Sequence, residues 1–391
     1  MGTPIPQRIA RHCADAVDAH ADRLVELARS LHAEPELAFA EHRSADKIAG
    51  LLEQEGFAVE RGTAGLDTAF VARFGSGPLT VAFCAEYDAL PGIGHACGHN
   101  LIAASSTGAG LALRDVADEL GLTVLVVGTP AEEDGGGKIV MLDAGVFDEV
   151  ALAMMVHPAP IDVGAPRPLA LAEWEVRYRG TPSHSAMAPH LGVNAADALT
   201  VAEVAIGVGR QHLEPGQLVH GIVTHGGDAP NIVPADTRAV YDMRAPDVDS
   251  LQRLQVRIRR CLEAGAVASG CSYEVAAAPD YAELRHDPWL SETYRAVIGE
   301  LGRSLLPPEQ EQALPAGSTD MGNVSLVVPS IHPAIAVETG GAVNHQPEFA
   351  AACVGPSADR ALRDASVAMA RTTAAAAVSD EQRERLLARR G

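Results

Sequence analysis

A chain of 391 residues is long for one hydrophobic core, so its length suggests two domains. The formal charge of −21 argues against nucleic acid or an anionic membrane as a partner, and no apolar run reaches the roughly 20 residues that span a bilayer. The polar stretch 1–11 lacks an apolar secretory core, and six irregularly spaced cysteines do not form a disulfide framework, so we expect a cytoplasmic protein.

Helical and strand patterns alternate over the first part of the chain. Apolar residues that recur every three or four positions predict helices, and short apolar runs between turn residues predict strands. In chain order the predicted elements are helices over 5–32 and 41–55, strands over 58–61, 69–74 and 79–84, a helix over 100–120, a strand over 123–128, a helix over 137–143 and a strand over 151–157. Strands that alternate with helices imply right-handed crossovers, so we expect an α/β domain with a mostly parallel sheet.

The pattern changes near Leu169. Residues 173–179 alternate apolar and charged side chains, which is typical of a half-exposed antiparallel strand. The elements that follow are a helix over 195–211, strands over 219–224 and 237–244, a helix over 250–268 and a strand over 272–277. This β-α-β-β-α-β order is ferredoxin-like. Because helix-rich α/β character returns after Asp287, we expect an α+β domain over 169–284 inserted into a discontinuous domain over 1–168 and 285–391.

Polar side chains follow the ends of three predicted strands. The strand over 79–84 leads into the segment 85–100, which holds two carboxylates, two histidines and a thiol. The next strand leads to Glu132 and Glu133, and the third leads to His157. Carboxylate, imidazole and thiolate groups bind divalent transition metals. Because parallel strands deliver their carboxyl ends to one edge of a sheet, we expect a metal-dependent catalytic site there.

The individual residues leave simpler interpretations open. Cys97 and His99, which only a glycine separates, could each be structural, since cysteine is often a small buried hydrophobe. Glu132 and Glu133 could be a solvated pair at a helix start. We favour a pair in which one glutamate binds a metal and its neighbour acts on the attacking water.

A fifth ligand candidate, His345, lies in a glycine-containing loop after a predicted strand over 335–337. Together the five candidates suffice for two metals that share a bridging ligand, namely Cys97, His99, Glu133, His157 and His345. No His-Glu-x-x-His run and no Gly-x-Ser-x-Gly elbow is present in the sequence to suggest a different chemistry.

These motifs closely resemble the metallopeptidase family of aminoacylases, carboxypeptidase G-type enzymes and auxin-conjugate amidohydrolases. The matching segments extend over nearly the whole chain and are residues 33–37, 86–100, 129–133, 156–158, 180–190, 231–234, 242–244 and 341–345. Within the family, residues 84–91, 95–100 and 317–325 look like the β-alanyl-lysine dipeptidases and aminobenzoyl-glutamate hydrolases. One departure is Asn100, since most auxin-type relatives have aspartate after the Cys-Gly-His sequence.

The resemblance implies a role for each candidate residue. Cys97 is expected to bridge two divalent metals, with His99 and His157 on one and Glu133 and His345 on the other. The resemblance also implies that Glu132 is the general base and that Asp88 orients a ligand. His184 is expected to contact the oxyanion from the partner subunit's lid domain. Asn231 and Arg244 are expected to bind the substrate carboxylate. The family also implies that the inserted domain is a lid and dimerisation domain.

The sequence thus predicts a metal-dependent amidohydrolase or dipeptidase that acts on small N-acyl amino acids or dipeptides, as a homodimer. The expected cofactors are two divalent ions, zinc or manganese, with cobalt as a further candidate. Two alternatives stay open at this point. One is a cysteine hydrolase with Cys97 as nucleophile and His95 or His99 as base, and the other is a non-catalytic protein that binds metal or peptide on the same scaffold.

Overall fold

The computed structural model of the protein describes residues 5–314 and 317–388. It divides the chain into two compact units. The first unit comprises Met1–Arg167 together with Leu284–Gly391, and the second comprises Pro168–Glu283. Among the described residues, no helix is both long enough and apolar enough to cross a membrane.

The first unit begins with helices that pack on a sheet. Its elements up to the second unit are α1 Gln7–Ala19, α2 Ala21–Ala33, α3 His42–Gln54, β1 Ala58–Arg61, β2 Phe70–Phe74, β3 Leu79–Ala85, α4 His99–Arg114, α5 Ala117–Leu120, β4 Leu122–Gly128, α6 Gly137–Asp143, β5 Leu152–Met154 and β6 His157–Ala159, with a 3₁₀ turn at Thr63–Gly65.

The second unit has the ferredoxin-like order that the sequence predicts. Its elements are β7 Ala170–Arg179, α7 Ala195–Gly209, β8 Leu218–His225, β9 Asp236–Ala245, α8 Val248–Ser269 and β10 Ser272–Ala277, with 3₁₀ turns at Pro189–Leu191 and Arg210–His212. The strands form one antiparallel sheet in the order β10-β7-β9-β8. Strand β7 buries alternate side chains, among them Trp174, Val176 and Tyr178. This alternation arises because successive side chains of a strand point to opposite faces, so one face of the sheet belongs to the core.

The chain then returns to the first unit. The remaining elements are α9 Pro288–Glu300, α10 Pro308–Glu311, α11 Met321–Val327, β11 Ser330–Ile331, β12 Ala334–Ala336, α12 Pro347–Ala352, α13 Pro356–Val378 and α14 Asp380–Ala388. The main sheet has the order β1-β2-β4-β3-β5-β11. Pairs from β4 through β3 and β5 to β11 are parallel, whereas β2 runs antiparallel to both β1 and β4. The predicted α/β class with a mostly parallel sheet is therefore confirmed.

Helix α4 lies against the sheet and α13, and nearly all of it is buried. Small residues allow this close packing. A Cβ atom at Gly110 would lie 2.5 Å from Cγ2 of Val126, which is closer than two carbon atoms can approach without movement. Because α4 begins at His99, its packing fixes the position of one predicted metal ligand.

Three predicted elements have different bounds. The helix over 5–32 is two helices with a break at His20, and the helix over 100–120 is interrupted at residues 115–116. The strand over 151–157 ends at Met154, since the chain then leaves the main sheet and His157 begins β6, which pairs with β12 in a separate two-stranded sheet. The predicted strand over 335–337 is β12, at Ala334–Ala336.

Candidate metal centre

The predicted ligands come from four places in the first unit. The segment after β3 carries Cys97 and His99, the turn after β4 carries Glu133, β6 begins with His157, and a loop after β12 carries His345. Their ligand atoms form two overlapping groups, each with all of its atoms within 4.8 Å of one another. One group is Cys97, His99 and His157, and the other is Cys97, Glu133 and His345. The sulfur of Cys97 is therefore common to both groups.

The tight turn that holds Cys97 and His99 requires glycine between them. Gly98 has a φ of 82°, in the left-handed region that L side chains rarely adopt. A Cβ atom there would also lie 2.9 Å from Cγ of Pro158 and 3.1 Å from Sγ of Cys353. Conformation and space both exclude a side chain, so the thiol and the imidazole can emerge two residues apart from a buried turn.

Asp88 connects two of the predicted ligands. Nδ1–H of His99 donates to Oδ1 of Asp88 at 2.9 Å, and the backbone N–H of Glu133 donates to Oδ2 at 2.9 Å. The aspartate is buried, and it fixes the ring of His99 and the turn that presents Glu133. This is the arrangement by which a carboxylate orients a metal-binding histidine.

Both histidines of the first group direct Nε2 toward the centre. The Nδ1 atom of His157 lies 2.7 Å from the carbonyl oxygen of Pro158, which can only accept, so Nδ1 carries the proton. In the neutral ring Nε2 then has a free lone pair, and it lies 3.3 Å from Sγ of Cys97. His99, whose Nδ1–H is bonded to Asp88, presents Nε2 in the same way.

The second group contains the most exposed of the predicted ligands. Nε2 of His345 lies 3.6 Å from Oε2 of Glu133, and the side chain of His345 is 56% exposed. His345 has a φ of 69°, and its backbone N–H donates to the carbonyl of Ala96 at 2.8 Å. That bond attaches the loop to the segment that carries Cys97.

Several buried polar atoms at this centre lack a protein partner. Nε2 of His99, Oε1 of Glu133 and Oε2 of Glu86 have no hydrogen-bond partner. Unpartnered buried polar groups are rare in proteins, and they are explained here if cations satisfy them. Thiolate, imidazole and carboxylate donors at these separations fit a pair of divalent transition-metal ions.

Comparison with known proteins gives the family. Residues 170–269 match the model of the M20 peptidase dimerisation domain. The chain is similar to the Xaa-Arg dipeptidase of Mus musculus, with 39% identity over 356 residues that cover 87% of this chain and 82% of the mouse protein. The chain belongs to the M20 peptidase family. It is therefore a hydrolase of amide bonds, of the metal-dependent amidohydrolase and dipeptidase class.

A second relative supports the same family placement, and a solved structure has the same fold. This M20 peptidase is 34% identical to a p-aminobenzoyl-glutamate hydrolase of Escherichia coli over 289 residues, which cover 68% of this chain and 60% of that protein. A solved structure of the same fold is a dinuclear metal binding peptidase of the M20 family from Bacillus subtilis, with a TM-score of 0.70 and 23% identity. That comparison covers 91% of this chain and 98% of the Bacillus chain.

The carboxyl group of Glu132 is buried in an acidic environment. Its Oε2 lies 3.8 Å from Nε2 of His99. Burial, followed by the negative charges of Glu86 and Glu133, raises the pKa of Glu132 well above its usual range. A carboxylate with a raised pKa is a stronger base, which is what proton abstraction from water requires.

The electrostatics do not favour a cysteine hydrolase. Burial and then the charge of Glu133 raise the pKa of the Cys97 thiol, so the metal-free thiol is not activated as a nucleophile. Burial lowers the pKa of His99, but the charge and the hydrogen bond of Asp88 outweigh it and raise that pKa well above its usual range, so His99 taken alone does not oppose this alternative. Burial also lowers the pKa of His95 to about 3, so it is a poor base. The raised pKa of the thiol does not count against Cys97 as a metal ligand, because a coordinated divalent cation removes the thiol proton.

The candidate substrate residues lie in the second unit. His184 is exposed, and its Nδ1 accepts from the backbone N–H groups of Ala186 and Met187 at 3.2 and 3.1 Å. His184 and Ile232 form an isolated β-bridge, which brings the loop of Asn231 beside that of His184. Arg244 is half-buried on β9, with Nη2 3.5 Å from Oδ2 of Asp242. Their roles toward a substrate stay predictions.

Three buried residues beside the metal centre have no role predicted from the sequence, namely Glu86, Lys138 and Asp320. Nζ of Lys138 lies 2.5 Å from Oε1 of Glu86 and 2.7 Å from Oδ1 of Asp320. The available signal was weak. Glu86 precedes Asp88 by two residues in the segment after the predicted strand over 79–84, and Lys138 is one of only two lysines in the sequence.

Proposed function

We propose that this M20 peptidase hydrolyses the amide bond of small dipeptides with the help of two divalent metal ions. The observation that carries the proposal is the shared position of Cys97 between two groups of ligand atoms. His99 and His157 would hold one metal and Glu133 and His345 the other, and Cys97, which belongs to both groups of ligand atoms, would contribute its thiolate to both. Such ions, when bound, polarise the scissile carbonyl and lower the pKa of a coordinated water.

Glu132 is proposed as the general base. It directly precedes Glu133, so the turn that presents a ligand to the metals also presents the base. Its carboxylate accepts the proton of the attacking water and then donates it to the departing amine. Asp88 holds the imidazole of His99 and the backbone of Glu133 throughout, so neither ligand has to reorient during turnover.

The second unit is proposed to bind substrate and to form a homodimer. Its match to the M20 dimerisation domain supports the dimer. Arg244 and Asn231 are assigned to the terminal carboxylate of the substrate, since the guanidinium group can bind a carboxylate through two parallel hydrogen bonds. His184, on an exposed loop, is assigned to the oxyanion of the partner subunit's substrate.

For the substrate, we propose a dipeptide with a basic carboxyl-terminal residue, of the β-alanyl-lysine or Xaa-Arg type. The similarity to the mouse Xaa-Arg dipeptidase supports this class, and the net charge of −21 favours the approach of a cationic substrate. A second candidate is aminobenzoyl-glutamate, which the similarity to the Escherichia coli hydrolase supports.

Zinc is the preferred metal for thiolate and imidazole, whereas the carboxylates also accommodate manganese and cobalt. Because all six cysteines are free thiols, we assign the protein to the cytoplasm.

The first experiment removes the metals. Dialysis against a chelator should abolish hydrolysis of a susceptible dipeptide, and addition of Zn²⁺, Mn²⁺ or Co²⁺ should restore it. Metal content measured before and after dialysis shows that removal is complete. Full activity in protein shown to be metal-free would contradict the proposal and would favour the thiol mechanism.

The second experiment identifies the substrate class. The metal-loaded protein is tested with β-alanyl-lysine, Xaa-Arg dipeptides, their neutral counterparts with carboxyl-terminal leucine, aminobenzoyl-glutamate and N-acyl amino acids. Higher kcat/KM for the basic dipeptides supports the first class. Hydrolysis of aminobenzoyl-glutamate alone would contradict the basic dipeptides as substrates and would support aminobenzoyl-glutamate instead.

A further inference from the structure

A buried ion-pair cluster lies directly beside the proposed metal centre. It consists of Lys138, Glu86 and Asp320, whose side chains are all 0% exposed. Lys138 donates through Nζ to both carboxylates, and its backbone N–H donates to Oδ2 of Asp320 at 2.9 Å. The lysine is therefore held at both ends.

Such a cluster is not explained by stability. Removing charged groups from water costs several kcal/mol for each ion, and apolar residues of similar volume are often as stabilising as a buried ion pair. One lysine also leaves one excess negative charge among two carboxylates. A functional reason for this excess charge is found at the second oxygen of Glu86.

The second oxygen of Glu86 faces a metal ligand. Oε1 is occupied by Lys138, but Oε2 is buried without a partner and lies 3.5 Å from Nε2 of His99. Because Nδ1–H of His99 is bonded to Asp88, Nε2 is the ring atom that faces Glu86, and in the neutral ring, which is the form that binds a metal, it offers only a lone pair. A cation between this nitrogen and the carboxylate oxygen, either a proton or a metal ion, satisfies both buried atoms.

The separation itself fits a shared cation. When one ion binds an imidazole nitrogen and a carboxylate oxygen tetrahedrally, the two donor atoms lie about 3.4 Å apart. Glu86, His99 and Glu132 also form a group whose ligand atoms lie within 4.8 Å of one another. The geometry therefore brings Glu86 within reach of the ion that His99 binds.

We propose that Glu86 is an additional ligand of the metal bound by His99, and that Lys138 and Asp320 are positioning residues that hold its carboxylate toward that ion. The inference rests on the two-metal function proposed above. It adds a hard oxygen donor to a site that otherwise has a thiolate and two imidazoles. Glu86 therefore makes this position more favourable for Mn²⁺ or Co²⁺ relative to Zn²⁺ than sulfur and nitrogen alone would.

The direct test is Glu86→Gln, which keeps the size of the side chain and removes its charge. Metal-free parent and variant are titrated with Zn²⁺ and Mn²⁺ in competition with a chromogenic chelator. We expect one of the two metals to bind at least 10- to 100-fold more weakly, with a greater loss for Mn²⁺ than for Zn²⁺, while the other metal is unaffected. In the Co²⁺-loaded protein, the visible absorption should become stronger as the coordination number of one ion falls.

A matched control is Glu311→Gln. Glu311 is also a buried carboxylate of the first unit, and it is paired with Arg295. Its substitution removes a buried ion pair of similar kind and should leave metal affinity unchanged. Equal metal affinity for the parent and Glu86→Gln would overturn the proposal, and so would an equal loss in both variants.

The positioning role is tested by a double-mutant cycle. Lys138→Met and Asp320→Asn should each weaken the same metal, because the carboxylate of Glu86 is then no longer held in place. If Lys138 acts through Glu86, the double variant Glu86→Gln/Lys138→Met should bind metal no more weakly than Glu86→Gln alone. Additive losses would assign Lys138 an independent role and overturn this part. If Glu86→Gln does not fold, Glu86→Asp, which keeps the charge but shortens the reach, takes its place.

The same titration separates failure of this inference from failure of the proposed function. A parent protein that binds no divalent ion removes the basis of both. A parent that binds two ions, with Glu86→Gln binding them equally well, overturns only the role of Glu86.

Discussion

The proposed metal centre of the first unit and the proposed substrate residues of the second unit have opposite local chemistry. At the metal centre the side chains of His99, Asp88 and Glu86 are buried, and Nε2 of His99 faces Oε2 of Glu86 with no hydrogen-bond partner on either atom. In the second unit His184 is exposed and bonded to its own turn, and Arg244 lies beside Asp242 on the same strand.

The difference shows which kind of site a single chain can reveal. The proposed metal ligands have unpartnered atoms that the fold brings together, so they can be recognised from geometry. A residue that contacts only a passing substrate keeps local partners or water until the substrate binds. The assignment of the substrate residues therefore depends on the family resemblance, and substitutions in the two regions should have separable effects on metal affinity and on KM.

The largest effect is expected at the base. Glu132→Gln should lower kcat by about 10²- to 10⁴-fold, because the amide cannot accept the proton of water. Metal content should stay at the parent level, since Glu132 is assigned no metal. Glu133→Gln is the matched comparison and should lose affinity for the metal shared with His345. Unchanged kcat in Glu132→Gln would remove the base assignment.

The next largest effect is expected at Asp88. The side chain accepts two hydrogen bonds, from Nδ1–H of His99 and from the N–H of Glu133. Asp88→Asn replaces one acceptor by a donor, so one of the two bonds becomes repulsive. We expect metal affinity to fall by about 10- to 100-fold, measured by chelator competition. Parent-level affinity would show that the aspartate does not orient these ligands.

A smaller effect, on substrate binding rather than on metal binding, is expected in the second unit. Arg244→Ala should raise KM about 10-fold through loss of charge-assisted hydrogen bonds to the substrate, with metal affinity unchanged. Arg238→Ala is the matched control, because Arg238 lies on the same face of β9 and is assigned no substrate contact. Equal KM values for both variants would leave Arg244 as a surface charge. A loss of metal affinity in Arg244→Ala would contradict the assignment of metal binding to the first unit and of substrate binding to the second.

Much of the fold and of the candidate site was predictable from local patterns. Apolar runs followed by polar tips predicted β3 and β4 and the residues beyond them, because burial and strand periodicity leave a direct trace in the sequence. The break at His20 left no such trace. Val17 and Leu24 are both buried, so the apolar pattern continues across the break.

The cluster around Glu86 was beyond the reach of sequence reasoning for another reason. Lys138 lies 52 positions from Glu86 and 182 positions from Asp320. Nothing in the local sequence distinguishes a buried lysine on a short helix from an exposed one. Only the folded chain brings Lys138 of α6 and Asp320, directly before α11, into contact with each other and with Glu86 after β3.

The smallest effect concerns stability and a carboxyl group near the base. Glu41 is buried and its Oε1 accepts from the N–H of Ala131 at 2.8 Å, which helps to hold Ala131 at a φ of 59° directly before Glu132. Burial raises the pKa of Glu41 from 4.5 to about 7. The folded protein therefore holds this proton more tightly than the unfolded chain does. The resulting stabilisation is fully present below about pH 4.5 and is lost as the pH rises through about 7.

The contribution of Glu41 to the stability of the metal-free parent should therefore fall by up to about 3 kcal/mol between pH 4.5 and pH 8, at 1.36 kcal/mol for each unit of pKa. Glu41→Gln cannot ionise and keeps an oxygen that can accept from Ala131. Its thermal midpoint should consequently fall less over this range than that of the parent. The measurement is a series of melting curves of both proteins in chelator at half-unit steps of pH. Parallel curves for parent and variant would show that Glu41 is ionised in the folded protein at the lower pH, and that its bond to Ala131 is made by a carboxylate throughout.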